Sequence, residues 1–178
     1  MWGWFLAYAR ASMEAGNEVF GGNISLLTFA VVAVGVVGAT GGGLLADRIG
    51  RCNTTVLSMV LSGLCALAIG FFFDGPAWLF VAVSLVWGIT GIADSAEFSA
   101  AVTELADTRL VGSALAFQMG VGFAITIIAI WLMPVVASAL GSWRWTFVLL
   151  VPGPVIGTVA MLLLRAHPAS IKLAGGHR

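Results

Sequence analysis

GGGLLADRIGR, residues 41–51, decides how this chain folds. Roughly twenty apolar residues precede it and roughly twenty follow, which is the length that spans about 30 Å of hydrocarbon as a helix. Between them sit Asp47, Arg48 and Arg51, with Gly43 and Gly50 at fixed offsets. So short a charged turn between two membrane-length runs predicts a helical hairpin in a bilayer.

Composition points the same way. The chain has 178 residues, 60% hydrophobic and 9% charged, with a mean hydropathy of +1.06. Soluble domains carry about 25% charged residues. A soluble chain of this size lacks the polar groups to cover so much apolar surface, so the lipid bilayer is the fitting solvent. A net charge of zero gives no reason to expect a nucleic-acid partner. Seven tryptophans suit membrane interfaces, and 23 glycines suit close helix contact. Cys52 and Cys65 lie along one apolar helix and predict neither a disulfide nor a metal site.

Apolar runs at residues 24–45, 54–73, 77–101, 110–132 and 145–164 predict five full transmembrane helices in one all-α membrane domain covering the chain. The breaks read as turns: RCN, DGPAW, ADTR and LGSW. The apolar stretch at residues 1–9 is too short to span. One reading makes it the tail of a sixth helix. The other is a signal peptide cut after AYA, against which stand the missing basic n-region and the short apolar core. The PGP at 152–154 predicts a kink in the last helix.

Basic residues suggest the orientation. With the 41–51 turn cytoplasmic, Arg48, Arg51, Arg109, Arg165, Lys172 and Arg178 lie inside, against Arg10 and Arg144 outside. Trp78, Trp143 and Trp145 then fall near the outer interface.

The turn has a chemistry of its own. Gly50 suits a left-handed turn, and Gly43 suits a close helix approach. Asp47 at the N-terminus of the next helix can accept hydrogen bonds, and the arginines can reach an acid elsewhere. Gly43-x-Leu45-Ala46-Asp47-Arg48-x-Gly50-Arg51 resembles the signature loop of the major facilitator superfamily, which joins the second and third helices of each six-helix half. The chain departs from that pattern at Cys52, where a second basic residue is usual. Glu104-Leu-Ala-Asp-Thr-Arg109 resembles the inner end of the family's fourth or tenth helix. The resemblance implies a charge cluster closing the inner side, with Glu104 facing Arg48 or Arg51 and Arg109 nearby. The helix from Ala77 has no arginine, and the chain stops soon after its last helix. Both features resemble the C-terminal half, helices seven to twelve.

The helix from Ala77 carries the polar groups. At 100° per residue, Ser84, Gly88, Gly91, Ser95 and Ser99 share a face of small residues. Thr90, Asp94, Glu97 and Glu104 form an acidic stripe beside it, with Trp87 at the edge. An Asp at the centre of a membrane helix costs about 2.5–3.5 kcal/mol to insert, and each Leu, Ile, Phe or Val returns only about 0.3–0.6 kcal/mol. Asp94 and Glu97 must therefore face protein or water, be protonated, or be paired. Glu97 is nearer the inner surface and within reach of the arginines; Asp94 is deeper and the better candidate for a proton-coupling group in a cavity. Gln118, Gly122 and Thr126 share a face of the next helix, to bind a polar solute or to bridge two helices. Gly35, Gly38 and Gly42 form one packing seam, and Ser58, Ser62, Ala66 and Gly70 another.

No nucleophile elbow, phosphate loop or metal cluster is present in the sequence, and the histidines, His167 and His177, sit in the tail. With these motifs absent, the resemblance implies a non-enzymatic, cofactor-free half of a small-solute permease in the cell membrane, coupled to protons and completed by an N-terminal six-helix half. The alternative is a non-transporting membrane subunit that needs a partner.

Overall fold

The computed structural model describes residues 1–16 and 22–176. His177 and Arg178 lie outside the described residues. The elements are helices α1 (Trp2–Glu14), α2 (Ile24–Ala33), α3 (Gly35–Ile49), α4 (Arg51–Ala68), α5 (Ala77–Leu105), α6 (Val111–Leu140) and α7 (Pro152–Ala166). Short 3-10 segments cover Thr146–Leu150 and Pro168–Gly176. No strand occurs among the described residues. Among the described residues five stretches are long and apolar enough to cross a membrane: Ile24–Ile49, Arg51–Ala68, Ala77–Leu105, Val111–Leu140 and Thr146–Ala166.

Several boundaries differ from the sequence reading, each for a local reason. The first span runs through Asp47 and Arg48 to Ile49, so what reads as an eleven-residue turn is helix up to the single residue Gly50. Gly50 has φ +91°, a conformation open to glycine, and α4 begins at once after it. Asp47 therefore lies in the last turn of α3, not at the start of α4. Within this span α2 meets α3 at Val34, whose carbonyl accepts from both Val37 (3.0 Å) and Gly38 (3.3 Å). The side chain of Asn23 accepts from Leu26 N–H at 3.1 Å and starts α2. Helix α4 stops at Ala68, short of Phe73, and α1 continues past residue 9 to Glu14.

The largest difference is in α6. The apolar run read as a span ends at residue 132, yet the helix continues through Pro134 to Leu140 and ends at Gly141, φ +65°. Proline has no N–H, so the carbonyl four residues earlier, on Ile130, loses its helical donor. Trp4 Nε1 of α1 donates to that oxygen at 2.9 Å. The last span splits where PGP stands: 3-10 turns through Leu150, then α7 with Pro152 at its first position, where a missing N–H costs nothing.

Helix α5 is central and packs on α3 and α4. The seam with α2 and α3 is made by glycine. A methyl group at Gly38 would overlap the Ile89 carbonyl, one at Gly88 the Val31 carbonyl, and one at Gly35 the Ile92 side chain. Backbones approach this closely only where side chains are absent. Gly42 touches Ala93, and Gly43 faces open space, so the close approach belongs to the neighbour of the residue singled out from sequence. On α4, Ser58, Ser62 and Ala66 are buried, and Gly70 lies against Trp145.

Candidate functional site

The two ends of the bundle carry different chemistry. At the Gly50 end, Arg51 stands at the first position of α4, held there by the one-residue turn. Its Nη1 donates to Glu97 Oε2 at 2.8 Å and its Nη2 to Glu104 Oε1 at 2.6 Å. Glu97 and Glu104 lie two turns apart on α5, so one guanidinium spans both. Glu97 is buried and Glu104 about one quarter exposed. The second oxygen of Glu104 accepts from Ala174 N–H at 2.8 Å.

Of the two arginines considered from sequence, Arg51 makes these pairs. Arg48 and Asp47 are exposed. Arg109 is exposed in the turn after α5, its backbone N–H bonded to Asp107 Oδ1 at 3.0 Å, and it joins none of the ion pairs among the described residues.

Deeper in α5 the arrangement changes. Asp94 is half-buried, and its Oδ1 accepts from Ser95 Oγ at 3.1 Å. No Lys, Arg or His joins it in either of the two cavities it lines. One, of about 330 Å³, also meets Trp87, Gly91, Ser62 and Thr126. The other, of about 700 Å³, opens along α6 past Gln118, Gly122 and Ser99. The α6 face of Gln118, Gly122 and Thr126 thus looks onto the same cleft as Asp94. Thr126 Oγ1 bonds its own helix at Gly122 and makes no bridge to a neighbour, while Gln118 Oε1 is out of solvent with no partner. A cleft with a carboxyl, the hydroxyls of Ser62, Ser95, Ser99 and Thr126, and a carboxamide can hold a small polar or cationic group, or a proton.

Of the acidic stripe only Asp94 lines the cleft; Thr90, Glu97 and Glu104 do not. Thr90 is buried and bonds back to Val86 at 3.0 Å. Glu97 turns to Arg51. Trp87 stays at the edge, with its Nε1 donating to Ser62 Oγ at 3.1 Å. Ser62, Gly91, Ser95 and Ser99 are cleft residues that sequence reasoning placed only in packing faces. A hydroxyl at depth facing an indole is the signal that marks Ser62.

A glycine-seamed helical hairpin joined by a one-residue turn, an arginine at that turn clamped to two α5 acids and five membrane-length spans agree with what a family comparison finds. The model of the Major Facilitator Superfamily matches residues 4–178. The chain belongs to the major facilitator superfamily. Members of this superfamily are transporters that move small solutes across membranes, and this chain is a multi-pass membrane protein of that family. No curated protein and no solved structure matches it.

Proposed function

We propose that this chain is the C-terminal half of a proton-coupled secondary permease in the cell membrane. It works with an N-terminal six-helix half by alternating access, in which two bundles rock about a central site. The observation that carries this reading is Asp94, a carboxyl with no ion pair to Lys, Arg or His among the described residues, set where the polar faces of α5 and α6 meet over one cleft. Intramembrane acids persist where they serve a pathway or a proton. The Arg51–Glu97–Glu104 cluster serves as the gate at the cytoplasmic end, formed when that end is closed.

In the assembled transporter, Asp94→Asn keeps the size and removes the titration. Accumulation of solute against its gradient should fall at least tenfold, while downhill exchange survives. Normal accumulation by this variant would falsify the coupling role.

Orientation rests on the gathering of Arg48, Arg51, Arg109, Arg165 and Lys172 at the Gly50 end. Cys52 is fully buried, so labelling it reports packing rather than side. A cysteine placed at exposed Thr108 is the better reporter. An impermeant thiol reagent should label Thr108→Cys in inverted vesicles and leave it untouched in intact cells; the opposite pattern reverses the topology.

A further inference from the structure

The segment that follows α7 does not hang free. Leu173 is fully buried and packs with Cys52, Ala101 and Met161, under the Gly50 end of the bundle. Ser170, also buried, donates through Oγ to the Arg165 carbonyl at 3.1 Å, which folds the chain back on itself. The next residue after Leu173 reaches the charge cluster: Ala174 N–H donates to Glu104 Oε2 at 2.8 Å, while Arg51 holds Oε1. Ala174 takes φ +46°, unlike any other non-glycine among the described residues. An alanine adopts that conformation only where its surroundings hold it there. A buried leucine, a donor aimed at a carboxylate and a strained backbone between them therefore converge on one acid.

We infer that residues 168–176 form a strap that positions Glu104 on Arg51 and seals the Gly50 end over Cys52. Ala174 acts through its backbone: with one carboxylate oxygen fixed by its N–H, the other is turned to the guanidinium. Leu173 is the plug, and the bend at 174–175 lets plug and donor act together. Release of the strap frees one oxygen of Glu104 and opens the apolar floor. The effect on transport rests on the cluster being a gate. The packing test below uses no transport, so that reading can fail without the strap failing.

Cys52 is the reporter, and Cys65, buried higher in α4 and away from Leu173, is the internal control. The full chain in detergent is treated with a small maleimide, and labelling at each cysteine is followed by mass spectrometry. In the unaltered chain both thiols should react slowly. Ala174→Pro removes the donor and cannot take positive φ; it should speed Cys52 labelling at least tenfold and leave Cys65 unchanged. Leu173→Ser should do the same. Ala174→Gly keeps the N–H and relieves the strain, so Cys52 should stay protected. Glu104→Ala should expose Cys52 as Ala174→Pro does, and the two together should add nothing further, because they break one contact. Fast labelling of Cys52 in the unaltered chain would overturn the strap. So would equal labelling of both cysteines in Ala174→Pro, exposure by Ala174→Gly, or additive effects of the Glu104 and Ala174 changes.

Discussion

The bundle has ion pairs at both ends, and the two sites differ in kind. At the Gly50 end Arg51 is mostly buried and Glu97 almost wholly so. At the other end Arg144 pairs with Asp74 at 2.9 Å, but the two side chains are 37% and 48% exposed. That second end is held by rings. Tyr8 lies between Phe73, Phe80 and Phe147, Trp87 meets Phe147 edge-on, and Trp4 meets Trp143 at a tilt. Tyr8 also donates to the Arg144 carbonyl at 3.0 Å, and Ser12 to that of Phe73. One end therefore closes on charge, which can be rearranged, and the other on aromatic packing, which resists sliding. Opening the gate proposed at the charged end would break a rearrangeable cluster and leave the aromatic packing of the other end intact.

The comparison can be broken most severely at Arg51. Arg51→Gln leaves Glu97 buried without a cation, which costs about 3–5 kcal/mol. A thermal-unfolding series in detergent should show a large drop in midpoint, with most of it regained when Glu97→Gln is added. No regain would mean that Arg51 matters through packing alone. The pairing also limits charge swapping: Arg51→Glu with Glu104→Arg sets a new acid against Glu97, so only part of the loss should return. The smallest effect is expected at the opposite end. Asp74→Asn removes an exposed pair, worth about 0.2–1 kcal/mol, and should move the midpoint little. A shift there as large as that of Arg51→Gln would erase the distinction between the ends.

Much of the fold is legible in the sequence, because each span must satisfy the bilayer by itself: length and apolar content reveal five of them without tertiary knowledge. Helix ends are less legible. Asp47 and Arg48 look like a turn because they are charged, yet nothing in Leu44–Ile49 stops a helix until glycine permits positive φ. The reading of α6 ends at residue 132, because the group that lets the helix pass Pro134, the Trp4 indole, stands 126 residues away. In the candidate site, the acid stripe of α5 is visible as periodicity, while the choice of Arg51 over Arg48 depends on helical phase across Gly50. The strap left no periodic signal. Leu173 is one apolar residue in a short tail, and the donor on Ala174 is backbone, which no residue type announces.

The bond from Trp4 to Ile130 also bears on how the protein is made. A helix entering the bilayer with a bare carbonyl in hydrocarbon is penalised by several kcal/mol. Helix α6 carries such a carbonyl because of Pro134, and the indole that satisfies it belongs to α1, which a ribosome synthesises long before. The free energy of inserting α6 thus depends on whether α1 is already in place to receive it.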